Sequence, residues 1–499
     1  MKIIISLIVL GLIFELVVFT VPLLWRARKV SMYVLAAITA FSSTMLLIAW
    51  LNMFTVIFFI ASLYRMFNYQ RVLDGRMHEM YLRHATRRSA LFLLIWQSSL
   101  LVVWLIWQVG AMKLGTNWYL LGLVIAQALT ASWLLLTVIS NIRRTRMVAG
   151  DELPDNKLPS LSVCIPARNE TDDLEECLQT ILASDYSKLE ILVLDDCSQN
   201  KRTPEIIRQF AHDGVEFVQG SEQPEHWLAK NWAYKQLLDQ ANGDLVIFCG
   251  VDVRFSPSSL RKLVQAQVKS GKAMIGVVPE RLDAHQTALI QPMRYWWEIV
   301  LPRNWRKRPP VLSTCWLAER SDLDKVGGFD AVTRAIVPEA FFARNFANKN
   351  LYDFVRSGDE LGITSVKKFV EQRSTAVRTR YPQLHRRPEI AMLLTLAELI
   401  LLIVPFGIAI GGWWLSVNPA VPAIAALASV LLIISYEIMI TAIMPRNTAL
   451  ALIAFPIVVS IDIGLVNYSM YQYEFSEVQW KGRNVCIPAM HVTPHLPKI

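Results

Sequence analysis

Acidic and polar side chains follow three short apolar runs near the middle of this 499-residue chain. The three clusters are residues 166–170 (PARNE), 195–198 (DDCS) and 250–252 (GVD). Carboxylates gathered near a phosphate would repel it unless a cation lay between them, and Mg²⁺ or Mn²⁺ is commonly shared between carboxylates and substrate phosphates. The clusters therefore indicate a cation-assisted site for a phosphorylated ligand, although the same residue types also cap helices and make turns.

The sequence around these clusters predicts an α/β domain. Short apolar runs over 161–165, 191–194, 215–218 and 245–248 predict buried strands, and apolar side chains at helical spacing follow the first two runs. Strands that alternate with helices favour a parallel sheet with right-handed crossovers. Such sheets bind ligands at the carboxyl ends of their strands, so we expect the three clusters to meet at one edge of the sheet.

Composition and charge predict a membrane protein with a soluble part. Hydrophobic residues make up 54% of the chain and charged residues 18%, whereas a soluble domain usually has about 25% charged residues. The formal net charge is +9, but arginines cluster beside hydrophobic segments, as the positive-inside rule predicts. The charge therefore does not indicate a nucleic-acid partner, and the apolar content excludes a disordered chain.

Apolar stretches long enough for membrane helices occur on both sides of the predicted α/β domain. They are residues 3–24, 32–63, 90–109, 118–139, 390–415, 421–443 and 449–471. The second stretch is too long for one upright helix, and we interpret it as two crossings that meet near Asn52. We therefore predict an N-terminal transmembrane region over 1–157 with about four or five helices, a domain over 158–388, transmembrane or interfacial helices over 389–475 and a tail over 476–499.

The arginine-rich segments and the tail give conflicting indications of topology. Arginines in the loop 64–89 and over 143–146 predict that the 158–388 domain is cytoplasmic. Three crossings after that domain would leave the tail motif WKGR (480–483) on the opposite side of the membrane. If the motif serves the site, one stretch does not cross, and 449–471, which contains a proline and several polar residues, is the favoured one.

Several short motifs, taken in order, resemble those of family 2 glycosyltransferases with the GT-A fold in their membrane-anchored form. The motifs are IPARNE (165–170), VLDDCS (193–198), WLAK (227–230), GVD (250–252), GGFD (327–330), VPEAFFAR (337–344), QLHRR (383–387) and WKGR (480–483). The last motif is similar to one in ceramide-glucosyltransferase-like and hopanoid-associated enzymes. The resemblance covers the predicted α/β domain and implies a Rossmann-like nucleotide-diphospho-sugar transferase flanked by transmembrane helices.

The resemblance also implies roles for particular residues. The implied donor-binding residues are Pro166, Glu170, Asp195, Asp196, Lys230, Gln383, Arg386, Trp480 and Arg483. Asp252 is the implied ligand of Mn²⁺ or Mg²⁺, and Glu339 is the implied catalytic base. The chain departs from the family pattern at three positions: Gly250 replaces the first metal-motif aspartate, Pro338 replaces the acid before the base, and Arg387 replaces a tryptophan.

The reaction implied by the resemblance moves a sugar from a nucleotide-diphosphate sugar, a UDP-sugar above all, with inversion at the anomeric carbon. The cation and Arg386 would stabilise the charge on the departing diphosphate, and Glu339 would deprotonate the acceptor hydroxyl. The many membrane segments favour a lipid or polyprenol-type acceptor that reaches the site along the membrane. The expected location is the bacterial inner membrane.

Other interpretations stay open. The chain could be a processive polysaccharide synthase, although Arg387 argues against it, or a catalytically weak scaffold, as the changes at Gly250 and Pro338 suggest. Glu339 could be a first-turn residue favoured by the helix dipole. Lys230 could be a solvated helix residue, and the arginines near 386 could mark the membrane edge.

Overall fold

A computed structural model describes most of the chain. It covers residues 2–20, 28–73, 92–102, 104, 117–147, 152–282, 292–300, 308–414, 417–445, 448–476, 478–481 and 483–484. Much of the predicted arginine loop over 64–89, part of the stretch over 90–109 and the end of the tail lie outside these residues. The chain forms two compact units: the first contains Met1–Thr130, Val377–Ser429 and Val459–Glu477, and the second contains Ala131–Ala376, Val430–Val458 and Val478–Ile499.

Helices account for the predicted apolar stretches. The helices are α1 (Lys2–Thr20), α2 (Arg28–Ala49), α3 (Met53–Leu73), α4 (Phe92–Val102), α5 (Asn117–Arg144), α6 (Asp172–Leu182), α7 (Arg202–Gln209), α8 (Ala229–Gln240), α9 (Ser259–Ser270), α10 (Pro292–Ile299), α11 (Arg320–Lys325), α12 (Glu339–Asn348), α13 (Gly358–Leu361), α14 (Phe369–Gln383), α15 (Pro388–Ala397), α16 (Val404–Gly411), α17 (Ala420–Ile443) and α18 (Thr448–Phe475). Among the described residues, five helical segments are long and apolar enough to cross a membrane, as expected of a membrane protein: Met32–Ala49, Trp118–Arg144, Pro388–Trp414, Ala420–Ile443 and Ile453–Phe475.

The long apolar stretch over 32–63 breaks into two helices beside Asn52, as predicted. The Asn52 side chain accepts a hydrogen bond from the Thr55 amide at 3.0 Å, and the Thr55 hydroxyl oxygen accepts one from the Asn52 amide at 3.0 Å. This reciprocal pair satisfies two amide groups at the start of α3 that have no partner inside the helix. The local sequence Asn-x-x-Thr thus explains why one apolar stretch forms two helices.

The second unit contains a mixed β-sheet. The strands are β1 (Leu161–Ala167), β2 (Leu189–Asp195), β3 (Val215–Gln219), β4 (Leu245–Cys249), β5 (Val253–Phe255), β6 (Met274–Val278), β7 (Glu280–Arg281), β8 (Cys315–Glu319), β9 (Tyr352–Arg356), β10 (Ile363–Ser365), β11 (Gln479–Trp480) and β12 (Arg483–Asn484). Seven strands form the main sheet in the order β3-β2-β1-β4-β8-β6-β9. A small sheet has the order β5-β10-β7, and β11 pairs with β12.

The first four strands are parallel, which confirms the predicted α/β arrangement. β8 was not among the predicted strands, and it runs antiparallel between β4 and β6. An antiparallel neighbour needs no helical crossover, so the helix–strand alternation that indicated parallel strands does not report on it. Four inner strands of the main sheet, β1, β4, β8 and β6, are almost entirely buried, as expected for a sheet covered on both faces.

The register of the strands brings the acidic clusters to one edge of the sheet. Ala167, the last residue of β1, lies opposite Asp195, the last residue of β2. On the other side of β1, Cys164 lies opposite Phe248, one residue before the end of β4. The segments that follow these strands therefore leave the sheet at its carboxyl edge, where ligands of open α/β sheets bind.

Candidate functional site

The turns after β1 and β2 are joined to each other. The Asp196 amide donates to the carbonyl oxygen of Ala167 at 2.8 Å. Asn169 has a φ of 50°, in the left-handed region that Asn tolerates, and its side chain accepts a hydrogen bond from Gln199 at 2.8 Å. Asp195 accepts a hydrogen bond from the amide of Ser198 at 3.1 Å. Asp195 therefore serves the turn, and the two loops form one surface at the sheet edge.

Two carboxylates on this surface pair with basic residues of the tail. Lys481 forms an ion pair with Glu170, and Arg483 Nη1 lies 2.7 Å from Asp196 Oδ1. The basic residues lie in and beside the β11–β12 hairpin, so a segment about 300 residues away in sequence contacts the first and second strand ends. The structure thus brings together Glu170, Asp196 and Arg483, and their role in donor binding stays a prediction.

Sequence reasoning missed Arg168 and Lys481 as members of this site. The Arg168 guanidinium donates to the carbonyl oxygens of Asp196 at 2.5 Å and Cys197 at 2.6 Å. Its Nε also donates to the carbonyl oxygen of Lys481 at 3.0 Å. Arg168 belongs to the motif PARNE and Lys481 to the motif WKGR, so membership of these motifs could have indicated both residues. Their basic side chains lie next to the acids that the motifs also supply.

Burial dominates the electrostatics of the two paired carboxyls. Burial raises the pKa of Glu170 above its usual value, although the ammonium group of Lys481 acts in the opposite direction. Burial likewise raises the pKa of Asp196, and the guanidinium of Arg483 opposes it. Desolvation disfavours the charged form of an acid, and a nearby cation favours it. These two acids therefore take up protons more readily than exposed carboxyls do.

Asp252 lies after β4, between the main sheet and the small sheet. The Ser365 hydroxyl donates to Asp252 Oδ2 at 2.9 Å, and Arg281 Nη1 lies 3.9 Å from the same oxygen. Burial of the carboxyl raises its pKa, but Lys367, Arg281 and Ser365 together outweigh that effect and hold the pKa below its usual value. Asp252 is therefore an ionised carboxylate that can donate oxygen ligands to a hard cation. Among the described residues, no group of three or more His, Cys, Asp or Glu side chains could by itself hold a metal ion.

Glu339 is the first residue of α12, and its side chain is fully buried. Lys230 Nζ, at the start of α8, lies 2.5 Å from Glu339 Oε1. Glu339 Oε2 has no hydrogen-bond partner in the part of the chain that the structure describes. The structure thus pairs the implied base with an implied donor-binding lysine, and it leaves one carboxylate oxygen unpaired. Glu339 also lies in the first turn of α12, so the interpretation as a residue favoured by the helix dipole stays open.

Aromatic packing fixes α12 against the sheet. The Phe342 ring, one helical turn after Glu339, stacks on Trp316 of β8 with ring centroids 6.0 Å apart. Trp316 in turn stacks on Phe248 of β4 at 4.6 Å. Phe329 contacts Phe342 edge to face at 5.3 Å. These buried rings are close-packed, so the start of α12 is held by the core.

The remaining implied site residues occupy different places. Pro166 lies in β1 opposite Leu194. Trp480 lies in β11, and its side chain is outside the described part of the chain. Gln383, the last residue of α14, and Arg386 belong to the first unit. There the Arg386 guanidinium lies over the ring of Tyr473, 5.3 Å from its centroid, and 3.8 Å from the carboxylate of Glu474. The role of Gln383 and Arg386 at the diphosphate stays a prediction.

The central segment of the chain is similar in sequence to known glycosyltransferases. Residues 162–327 match the model of the family described as glycosyl transferase family 2. Glycosyltransferase AglE of Haloferax volcanii is 32% identical over 123 residues, which is 24% of this chain and 39% of that protein. The probable glycosyltransferase YdaM of Bacillus subtilis is 28% identical over 185 residues, which is 35% of this chain and 44% of that protein. The match thus spans less than half the length of either relative.

Solved glycosyltransferase structures are also similar to this chain. Mannosyltransferase PcManGT from Pyrobaculum calidifontis, in complex with GDP-Man and Mn²⁺, shares 17% identity with a TM-score of 0.44, over 69% of this chain and 98% of that chain. TarS from S. aureus in complex with UDP-GlcNAc shares 16% identity with a TM-score of 0.30, over 64% of this chain and 93% of that one. The match to glycosyl transferase family 2 thus covers about a third of the chain, a segment that contains most of β1 and all of β2 to β8.

Proposed function

We propose that this family 2 glycosyltransferase domain transfers a sugar from a nucleotide-diphosphate sugar to a lipid-type acceptor hydroxyl, with inversion. The observation that carries the proposal is the cluster of buried acids at the carboxyl edge of the sheet, Glu170 and Asp196 beside Asp195, inside the segment that matches the family. Ligands of this sheet type bind at that edge. A site of this composition suits a ligand that has both hydrogen-bond donors and phosphates.

The donor is proposed to bind along the carboxyl ends of β1 and β2. The carboxylates of Glu170 and Asp196 can accept hydrogen bonds from the N–H and O–H groups of a nucleoside, a uridine above all. Arg168, Lys481 and Arg483 bring positive charge to the same surface, where a diphosphate would be attracted. The ion pairs to the tail oppose the effect of burial on the pKa of these acids and keep the cations close to the proposed phosphate position.

The chemistry of Asp252 fits a divalent cation that is shared with the donor. A Mg²⁺ or Mn²⁺ ion would take one carboxylate as a ligand and complete its shell with phosphate oxygens and water, and it would stabilise charge on the leaving diphosphate. Asp252 is held in place by Ser365 and kept ionised by Arg281 and Lys367. Because Gly250 supplies no second carboxylate, the donor itself must contribute most of the ligands.

Glu339 is proposed as the base for the acceptor. Lys230 neutralises one oxygen of its carboxylate, and Oε2 is the oxygen left to take a proton. In the proposed step the acceptor hydroxyl gives its proton to Glu339 and attacks the anomeric carbon, while the bond from that carbon to the diphosphate oxygen breaks. One displacement from the face opposite the diphosphate inverts the configuration. Positioning by a buried, packed helix start suits this role.

The acceptor is proposed to arrive from the membrane. Five segments of the described chain are apolar and long enough to cross a bilayer, far more than a single anchor would require. A lipid or polyprenol hydroxyl would approach the domain along the membrane surface without leaving it. We further propose that the domain faces the cytoplasm of a bacterial inner membrane, where nucleotide sugars would be available.

A product assay tests the proposal. Full-length protein in lipid nanodiscs is incubated with UDP-sugars, Mn²⁺ or Mg²⁺ and a lipid extract, and the lipids are analysed by mass spectrometry. A lipid that gains one hexose-sized mass is expected with the natural chain. Glu339→Gln and Asp252→Asn should lower its formation by roughly 100-fold or more, whereas Asp239→Asn on the exposed face of α8 should leave it unchanged.

Other outcomes of the assay would contradict parts of the proposal. A long polymer in place of a single-sugar lipid would indicate a processive synthase. If the protein neither hydrolyses the nucleotide sugar nor transfers its sugar, with or without Mn²⁺, the chain is a scaffold that keeps the fold. Full activity of Glu339→Gln would remove the base from the proposal while leaving the reaction class intact.

A further inference from the structure

The loop before α12 is tied to the start of α8. We call residues 332–338 the pre-helix loop. Asn231 Nδ2 lies 2.7 Å from the carbonyl oxygen of Val332, 3.1 Å from that of Thr333 and 2.8 Å from that of Ala335. One amide group therefore faces three main-chain acceptors of the same loop.

The environment of Asn231 shows that these hydrogen bonds are its main interactions. The residue is fully buried, and its Oδ1 has no hydrogen-bond partner among the described residues. An unpaired buried oxygen is unfavourable, so a leucine of similar shape would suit the core of α8 better if packing were the only requirement. The hydrogen bonds that the side-chain N–H groups of Asn231 donate to the loop carbonyl oxygens explain why an amide occupies this buried position.

Two further contacts join the same parts of the chain, but neither comes from a buried side chain. The Leu228 amide donates to the carbonyl oxygen of Thr333 at 2.9 Å. The exposed side chains of His226 and Arg334 lie 2.5 Å apart. Asn231 therefore ties the pre-helix loop to α8 through three hydrogen bonds from a buried side chain.

The other end of this loop leads directly to the proposed base. The Ala340 amide donates to the carbonyl oxygen of Val337 at 3.2 Å, and the loop ends at Pro338, directly before Glu339. Lys230, next to Asn231 in α8, holds the Glu339 carboxylate. The first residues of α8 thus contact both the beginning and the end of the chain segment that carries the carboxylate.

We infer that Asn231 is a positioning residue for catalysis: by holding the pre-helix loop, it keeps the Glu339 carboxylate at one fixed distance from the acceptor hydroxyl. The inference rests on the proposed function, since it names a residue that acts through the proposed base. Asn231 itself touches only main-chain atoms of the loop. A shift of about 1 Å at a reacting group can cost on the order of 100-fold in rate.

The variant Asn231→Leu tests the inference because it removes both donors and keeps a branched side chain with the same number of non-hydrogen atoms. We expect kcat to fall by about 100-fold, while the KM for the nucleotide sugar changes less than about twofold. Leu237→Ala, which truncates a buried side chain of the same helix away from the loop, is the control for lost stability. It should lower the unfolding temperature more than Asn231→Leu does and lower kcat far less. Equal kcat in Asn231→Leu and the natural chain would overturn the inference.

A double-mutant cycle separates positioning from a general loss of structure. In the background Glu339→Gln, the change Asn231→Leu should have little further effect on the residual rate, because both changes remove the same function. An independent further drop of about 100-fold would mean that Asn231 does not act through Glu339. That result would overturn the inference and leave the proposed reaction intact.

Amide hydrogen exchange distinguishes failure of the inference from failure of the proposed function. The measurement uses the full-length protein in nanodiscs and needs no turnover. Asn231→Leu should raise exchange at the amides of Ala335, Ala340 and Phe341, which bond within or across the pre-helix loop. Unchanged exchange there would refute the loop-holding role. A natural chain that transfers no sugar at all would instead refute the proposed function.

Discussion

Because Gly250 has no side chain, it leaves room for the carboxylate of Asp252. A Cβ built on Gly250 would lie 2.5 Å from Asp252 Oδ1, closer than real Cβ contacts allow. The present orientation of Asp252, with Oδ2 on Ser365, therefore depends on the absence of a side chain at 250. The departure from the family metal motif is thus linked to the geometry of the aspartate that remains.

The variant Gly250→Asp should force the Asp252 side chain to turn and should add a second carboxylate ligand. We expect the Mn²⁺ concentration for half-maximal activity to fall by about tenfold, which corresponds to about 1.4 kcal/mol. A titration of sugar transfer with Mn²⁺ measures this change. Gly250→Ala is the control, since it displaces Asp252 without adding a ligand and should weaken the response to Mn²⁺. A Mn²⁺ requirement that is the same in all three proteins would argue against a cation at Asp252.

Removing the partner of the buried Glu339 carboxylate should destabilise the domain. The variant Lys230→Met leaves a fully buried carboxylate without its cation. We expect a loss of about 2 kcal/mol, below the roughly 3–5 kcal/mol of a fully buried pair because the Lys230 side chain is 27% exposed. Denaturant unfolding followed by tryptophan fluorescence measures the loss. Lys230→Met combined with Glu339→Gln should recover most of it, and failure to recover would show that the lysine stabilises the fold in another way.

At the scale of elements, the short β11–β12 hairpin depends on charge pairs more than on its own hydrogen bonds. Each of its strands has two residues, and a hairpin of this size is marginal in isolation. Lys481 in its turn has a φ of 47°. The hairpin keeps its place because Lys481 and Arg483 reach the acids at the ends of β1 and β2. Its attachment should therefore follow the ionisation of those acids.

The tail hairpin should loosen in mildly acidic solution. Because burial raises the folded-state pKa of Glu170 and of Asp196, the folded protein takes up these protons before an unfolded chain does. The pairs are complete above the raised pKa values and are lost as the pH falls through them. Trypsin cleavage at the hairpin, or amide exchange there, should increase as the pH falls from neutral toward the raised pKa values of these two carboxyls.

The contact between Asp244 and Ser160 provides an internal control for that experiment. Hydrogen bonds from the Ser160 side chain and amide hold the pKa of Asp244 below its usual value. This contact should therefore survive over the same pH range, and exchange at the Asp244 amide should stay slow. A parallel increase at both places would indicate general unfolding, and the specific role of Glu170 and Asp196 in holding the tail would be refuted.

At the scale of the whole molecule, the tail contacts constrain the path of the chain through the membrane. The hairpin belongs to the same compact unit as the glycosyltransferase domain and pairs with its acids. Three apolar helical segments lie between them in sequence, Pro388–Trp414, Ala420–Ile443 and Ile453–Phe475. A chain that returns to the side it left makes an even number of crossings. We therefore predict that one of the three segments does not cross completely.

Thiol labelling can identify that segment, with cysteines introduced at the exposed residues Asn418, Pro445 and Ser476. If the stretch over 449–471 is the one that does not cross, Pro445 and Ser476 lie on the cytoplasmic side and Asn418 lies outside. A membrane-impermeant maleimide should then label Asn418→Cys in intact cells, and Pro445→Cys and Ser476→Cys only after permeabilisation. Labelling of Pro445→Cys in intact cells would assign the incomplete crossing to one of the other two segments.

Local patterns in the sequence determined the elements of this protein. The apolar runs that begin at Leu161, Ile191 and Leu245 predicted strands that the structure confirms, because burial on both faces requires apolar side chains within each strand. The run that begins at Val215 also forms a strand, at the edge of the sheet. The same patterns predicted the helices of the apolar stretches and the break at Asn52. The meeting of the acidic clusters at one edge also followed from the sequence, since parallel strands end on the same side.

Only the tertiary structure decided which distant residues meet. Lys481 pairs with Glu170 across 311 positions, and Asn231 reaches a loop more than 100 positions away. Periodicity reports which face of an element is buried and carries no information about the partner that covers it, so neither contact could be read from the residues alone. The antiparallel direction of β8 was decided in the same way, because a strand's own pattern is the same in either direction.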